Sequence, residues 1–340
     1  MKAIVIREFG APEVMRLEDI ATPVPGPGEV LIRVHAVSVN RTLDLVVRSG
    51  KYPAQTPLPH ILGVDPSGVI AAIGAGVTTR QVGDRVTTML ILRPPAAGSG
   101  PVILGVHAWG GYAEYVKVPV SCTHPVPDGV DFVTATVVAR HAPTAFSLLR
   151  DAAKLRAGEW VLVMGAAGGL GSAGIQVAKY LGANVIAAAG ADERVGAAIA
   201  LGADAGVNYR AQDLAAAVMR ITDGRGVNIV FENVGDPVLF PQAFASLARG
   251  GRLVTAGGHA GGTVPLDVNR LYQFGITVVG SPGNIAPPDL DAALQAAAEG
   301  RFRVLLDQVL PLERAVEAHR LVAERGGTGK VVLQPTPESR

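Results

Sequence analysis

Up to about residue 130 the apolar positions fall in short runs rich in Val and Ile. Residues 3–7 and 30–39 form two such runs, the second partly alternating. Residues 64–73 and 82–92 form two more, broken by Gly and Pro. The segment before the second run, residues 23–28, reads PVPGPG and is turn chemistry throughout. Short strands punctuated this way predict a twisted, barrel-like domain. Beyond residue 130 the period changes. Residues 160–164, 184–189, 227–231, 252–256 and 276–279 are compact apolar runs that predict buried strands. Residues 169–181, 194–201 and 237–248 carry helical spacing, the last opened by Pro237 in its first turn. Strands spaced by helices of this length predict parallel βαβ units. The tail, residues 289–298 and 309–333, does not continue that alternation and is expected to pack back on the first domain.

Composition narrows the class. The chain has 340 residues, enough for roughly two domains. Gly 42 and Pro 24 make up about a fifth of it, yet apolar residues reach 49% and charged residues only 17%, so the turns belong to a compact chain. Thirty basic residues against 29 acidic leave a formal charge of +1, which argues against a broad phosphate-neutralising surface for nucleic acid. The opening MKAIVIREFG is interrupted by charge and has no signal-peptide apolar core, and no apolar run approaches a membrane span. A cytoplasmic protein is expected. Cys122 is the only cysteine, which removes intramolecular disulfides and any Cys₄ zinc site.

The strongest local signal is Val161-Leu-Val-Met-Gly165-Ala-Ala-Gly168-Gly169-Leu170-Gly171-Ser-Ala-Gly174. A buried strand enters a glycine-rich turn and a helix leaves it, which lets backbone N–H groups and the helix N-terminus approach a pyrophosphate. Gly168, Gly169, Leu170 and Gly171 are therefore candidate dinucleotide contacts. An NAD site is expected to carry an acid some 20 residues on, at the tip of the second strand. Here the tip is Gly190, followed by Ala191-Asp192-Glu193-Arg194. An acid at the tip would repel a 2′-phosphate, so its absence favours NADP(H). Arg194 and Lys179 are candidate phosphate partners, Tyr209 and Arg210 a candidate adenine-side wall, and Asp192 is the residue that argues the other way.

With these residues in place the chain resembles the medium-chain dehydrogenase/reductase superfamily, in its zinc-free, quinone-oxidoreductase-like branch. The resemblance runs nearly end to end. It includes Pro23–Gly28, Val39-Asn40, Arg48–Tyr52, Leu62-Gly63-Val64-Asp65-Pro-Ser-Gly68 and Gly83-Asp84-Arg85-Val86. It continues through Gly110-Gly-Tyr-Ala-Glu-Tyr115, the Gly165–Gly174 loop, Leu201-Gly-Ala-Asp204, Gly280-Ser281 and Gly329-Lys330-Val-Val-Leu. It implies an α/β fold: a GroES-like β-rich catalytic domain over 1–128 and 285–340, and a Rossmann doubly wound parallel-sheet coenzyme domain over 129–284, commonly as a homodimer. Zinc-dependent members have a Cys, a Gly-His-Glu and a third ligand where this chain has Asn40, Gly63-Val64-Asp65 and the neighbourhood of Arg140. Val cannot ligate and Arg is a cation, so no metal is expected. Relatives place Asn and Asp three apart after the Val, whereas Asn40 and Asp44 are four apart, which puts the orientation of Asn40 in question.

The chemistry this implies is hydride transfer from NADPH to a quinone or to the double bond of an α,β-unsaturated carbonyl. The alternatives are a zinc-independent alcohol or ketone dehydrogenase, or an NADPH-binding protein without catalysis. Asn40 and Tyr52 are candidate donors to the developing oxyanion, and Arg140 is a candidate for polarising a carbonyl or binding an anionic group. Thr144, Asn233, Gly257, Ser281 and Lys330 are candidate contacts to the ribose or nicotinamide. His60, His107 and Trp109 read first as loop structure, and His141 as a structural histidine.

Overall fold

The protein is described by a computed structural model covering residues 1–94, 100–258, 260–281, 286–324 and 327–336. Contacts divide it into two compact units. One comprises Met1–Arg140, Leu290–Phe302 and Leu306–Arg340, and the other His141–Asp289 and Arg303–Leu305. The tail thus joins the first unit. The division at 140/141 falls inside the helix Phe132–Phe146, and the 284/285 boundary expected from sequence lies outside the described residues.

The second unit is built on six parallel strands. Trp160–Met164 has four consecutive buried residues, the continuous apolar run expected of a strand covered on both faces. In spatial order the sheet runs Ala205–Asn208, Asn184–Ala189, Trp160–Met164, Val227–Glu232, Leu247–Thr255 and Thr277–Gly280, every pair parallel. Numbered by sequence within the sheet this is 3-2-1-4-5-6, the doubly wound order that reverses between Trp160–Met164 and Val227–Glu232. The helix Gly169–Tyr180 packs close because its small positions allow it. A Cβ on Gly171 would stand 2.2 Å from Gly165 O, and one on Gly174 would stand 3.0 Å from the Phe231 ring. The strand Ala205–Asn208 and the helices Leu214–Ile221 and Val268–Phe274 were not foreseen from the periodicity. The helix expected over 237–248 is shorter, Leu239–Ala245, because the chain re-enters the sheet as the strand Leu247–Thr255.

The first unit wraps a separate apolar core around mainly antiparallel strands. Its organising element is Glu29–Ser38, which pairs antiparallel with Ser67–Ile73, with Tyr115–Pro119 and with the late strand Lys330–Gln334. The run expected over 64–73 starts at Ser67. That over 82–92 is two strands, Arg85–Thr88 and Ile91–Arg93. Right after Glu29–Ser38 the chain makes a π-helical turn, Arg41–Leu45, with Leu45 N–H bonded to Asn40 O at 3.3 Å. A π-turn takes one residue more than an α-turn, so it absorbs the extra residue between Asn40 and Asp44. Among the described residues no helix is long and apolar enough to cross a membrane.

The close approach at Gly171 is tested against an open glycine of the same unit. Gly171→Ala is expected to lower the unfolding free energy read from a urea titration, by about 1–3 kcal/mol of overpacking, since the contacted atoms are backbone. Gly196→Ala, in the helix Asp192–Ala200 with nothing within 4 Å of the added Cβ, is expected to raise it, by about 0.5–1 kcal/mol.

Candidate functional site

In the first unit the register of two distant strands assembles a buried polar cluster. Val332 pairs with Ser38 and Leu333 with Val37, which carries Lys330 to a place opposite Asn40. The Lys330 ammonium donates to Val39 O and to Asn40 Oδ1, both at 2.8 Å. The Asn40 amide nitrogen donates to Asp65 Oδ2 at 3.0 Å and to Ser38 O and Oγ at 3.2 Å. Asp65 also accepts from the Ser38 N–H at 2.8 Å and the Ser38 hydroxyl at 2.5 Å. Asp44 turns back from the π-turn to accept from the Asn40 N–H at 2.7 Å and the Gly63 N–H at 3.0 Å. The one-residue difference in spacing therefore leaves Asn40 inside the cluster. Its side-chain oxygen and amide hydrogens are all engaged there, which makes it a residue that positions Lys330 and Asp65.

Burial sets the proton affinities. Asp44 is pushed up to about 7, first by desolvation and then by the neighbouring Asp65 charge, against the pull of its N–H donors and of Lys330. Lys330 is pushed down to about 8, mainly by desolvation, with Asp65 and Asp44 opposing. The Arg140 guanidinium is also lowered by burial, while Asp65, Asp44 and Tyr52 favour its charge. Tyr52 is half-buried against the first core. Desolvation raises its phenol and the Arg140 charge draws it back, so these two candidates share one field. Tyr112, fully buried, lies 3.2 Å from His319 Nε2, and burial and then the Asp44 and Asp65 charges push its phenol up. Asp44, Asp65, Ser38 and Tyr112 were not among the candidates read from sequence. The acids were visible as the ends of Asn40–Asp44 and Gly63–Asp65, but their pairing depends on contacts far apart in the chain.

Where zinc-dependent relatives of this fold would bind metal, these residues do not fit. Val64 is apolar and fully buried, Arg140 is cationic, and the oxygens of Asp65 are held by Ser38 and Asn40. Among the described residues no group of three or more His, Cys, Asp or Glu could hold a metal ion. His60 is buried in the short strand His60–Ile61, His107 Nδ1 accepts from the Ile103 N–H at 3.0 Å, and Trp109 donates to Pro59 O at 3.2 Å. The His107 and Trp109 bonds are loop contacts. Trp109 also lines a pocket of about 450 Å³ with Ile61, Leu92 and Val102.

In the second unit the glycine-rich loop sits at the carboxyl end of Trp160–Met164, where the strand order reverses. Gly168 caps the helix, and the first intrahelical bond is from Ser172 N–H to Gly168 O at 2.8 Å. The N–H groups of Gly169, Leu170 and Gly171 therefore precede the helical ladder and face the loop, as an anion cradle requires. His141 packs against it: a Cβ on Gly169 would stand 2.3 Å from its Nε2. The Asn233 amide donates to Met164 O at 2.7 Å, tying the two strand ends together, with its Oδ1 beside Gly165. Glu232, buried at the same end, accepts from the Val234 and Gly235 N–H groups at 2.8 and 3.0 Å, and desolvation raises its pKa. It was not foreseen. Gly257 and Ser281 follow the strands Leu247–Thr255 and Thr277–Gly280, and the Ser281 N–H donates to Thr255 O at 2.7 Å. Thr144 lies half-buried beside Pro143 in the helix Phe132–Phe146.

At the second strand tip Gly190 is crowded by Tyr209 and Arg210, with a Cβ there 3.0 Å from the Tyr209 ring and 3.2 Å from Arg210 Nε. Arg194 lies in the first turn of the helix Asp192–Ala200, and Asp192 is held by the Asn208 amide at 2.8 Å. Lys179 is different. It sits in the last turn of Gly169–Tyr180, about 15 Å along the helix from the loop, and is ion-paired with Asp204 at 2.8 Å. It is not a phosphate partner.

The comparisons fit this geometry. The alcohol dehydrogenase GroES-like domain model matches residues 26–128 and the zinc-binding dehydrogenase model residues 169–299. The chain is 32% identical over 340 residues to a quinone oxidoreductase of Sus scrofa, covering 98% of this chain and 97% of that protein. Among solved structures it is similar to an NAD-dependent alcohol dehydrogenase, at 38% identity and TM-score 0.91 over 99% of this chain and all of that one. It is also similar to a mycobacterial protein complexed with NADPH, at 31% identity and TM-score 0.83 over 98% of this chain and all of that one.

Asp44 generates a pH prediction. Between its unfolded range near 3.8 and its folded value of about 7, the native state holds a proton that the unfolded state has released. Its contribution to stability therefore falls as pH rises through that window. Asp44→Asn is expected to gain on the wild type steadily from pH 4 to 7 and to keep a constant offset above pH 8, read from urea unfolding at each pH.

Proposed function

This chain belongs to the medium-chain dehydrogenase/reductase superfamily, in its quinone-oxidoreductase-like branch, and we propose that it is an NADPH-dependent, metal-independent reductase of quinones or α,β-unsaturated carbonyls. It is an oxidoreductase by family. The observation that carries the finer reading is the donor set of the first unit: cations and a fully bonded carboxylate stand where a metal would need free ligands. A simple ketone needs strong electrophilic help. A conjugated double bond needs less, because charge from the added hydride spreads onto the carbonyl oxygen.

NADPH, when bound, supplies the hydride to the β-carbon of the acceptor. The chain's own groups hold and orient the coenzyme. The N–H groups of Gly169, Leu170 and Gly171, with Gly168 at the cap, cradle the pyrophosphate. Gly190, Arg194 and Tyr209 form the 2′-phosphate side, where Gly190 leaves the strand tip without an acid. Thr144, Asn233, Gly257, Ser281 and Lys330 are assigned to the ribose and nicotinamide. In the first unit Tyr52 donates to the developing enolate oxygen, under the field of Arg140, and Asn40 keeps Lys330 in place. The α-carbon then takes a proton from solvent. The protein acts on a small molecule in the cytoplasm. A homodimer is supported by the exposed edge strand Thr277–Gly280, where Val278 is solvent-accessible.

A second reading, a zinc-independent alcohol dehydrogenase, is favoured by the NAD-dependent neighbour at 38% identity. One assay separates the two. The metal-free protein is mixed with NADPH or NADH and a panel of quinones, enones and ketones, and with the oxidised coenzymes and alcohols. Turnover of quinones or enones with NADPH is expected. Turnover confined to alcohols, or seen only after zinc is added back, would overturn the proposal. Arg194→Ala is expected to cut kcat/KM for NADPH by about 10-fold or more, the size of a lost charge-assisted hydrogen bond, and to leave NADH use unchanged.

A further inference from the structure

Resting on the reductase reading above, we propose that Arg140 is a specificity residue that docks a carboxylate carried by the substrate. The guanidinium belongs to the first unit and donates no hydrogen bond to any described residue, and its Nε is sealed from solvent. The residue as a whole stays partly accessible, so a ligand can reach it. A buried charged donor left unbonded is costly, and native proteins retain one where something else completes it.

The neighbouring acids do not complete it. Asp65 is bonded to Ser38 and Asn40, and Asp44 to the Asn40 and Gly63 N–H groups. They stabilise Arg140 through space only. Lys330, the other cation of the cluster, is committed to Val39 O and Asn40 Oδ1. Because burial holds Asp44 partly protonated near neutral pH, Lys330 and Arg140 together leave the cluster with a surplus of positive charge. A planar fork of N–H donors matches a carboxylate through two parallel bonds, whereas a lone carbonyl oxygen takes up only part of it. The substrate class is thus an enone or quinone bearing an acid group, with Tyr52, in the same field as Arg140, beside its carbonyl.

The test compares trans-acetylacrylate, an enone with a carboxylate, with its methyl ester in the NADPH assay. Wild type is expected to prefer the acid through a lower KM. Arg140→Met is expected to lose at least about 30-fold more in kcat/KM for the acid than for the ester. Arg140→Lys, which keeps the charge without the fork, is expected to fall between. Equal losses on acid and ester, or no preference in wild type, would overturn the proposal. A second readout is independent of turnover. Levulinate, the saturated acid, is expected to raise the unfolding temperature of wild type and not of Arg140→Met, while methyl levulinate has no such differential effect. If levulinate binds through Arg140 but no enone is reduced, the anion site stands and the reductase reading falls. If levulinate does not stabilise wild type, the anion site falls whatever the activity.

Discussion

A buried ammonium has to be met on several sides, and in this protein that requirement joins the two ends of the chain. Lys330 is brought beside Asn40 by the pairing of Lys330–Gln334 with Glu29–Ser38, and it finds Val39 O and Asn40 Oδ1 waiting at 2.8 Å. Asn40 in turn is held by Asp65 and Ser38, and Asp44 closes the π-turn below. Each of these groups would be costly alone in an apolar surrounding, and each is tolerable because the others are present. The charges of the site are therefore consequences of one strand register.

The coenzyme unit is organised by a different constraint, close backbone approach. Gly165, Gly171 and Gly174 leave out side chains where the loop, the helix and Phe231 need the space. Asn233 then ties the end of its strand to Met164 O, holding the point of strand reversal at a fixed width. Rigidity there comes from absent atoms, the Asn233 amide and the buried Glu232 carboxyl that holds the Val234 and Gly235 N–H groups.

These two logics explain what could be read in advance. The glycine loop and the alternating strands are local, so they were legible from spacing. The strand Ala205–Asn208 is four residues long and opens Ala-Gly, too short and too small to carry a period of its own. The helix Leu214–Ile221 follows it without a proline or glycine to announce it, and is capped instead by the Asp213 side chain. Lys179 looked like a phosphate ligand by proximity in sequence, but the length of its helix places it at the wrong end. Asn40 read as a free donor because its partners are 25 and 290 residues away along the chain. What stayed hidden was cooperative charge pairing, which no single segment encodes.

The discontinuity of the first unit also bears on synthesis. The residues His141–Asp289 leave the ribosome as one stretch and contain nearly all of the coenzyme unit, including its sheet, so that sheet can close while the tail is still being made. The polar cluster cannot, because Lys330 is translated only after that whole stretch. Until then Asn40 Oδ1 lacks its cation and the edge of Glu29–Ser38 lacks its neighbour. Nascent chains would thus pass through a stage with a finished parallel sheet and an unfinished polar cluster, and it is that stage a chaperone would meet.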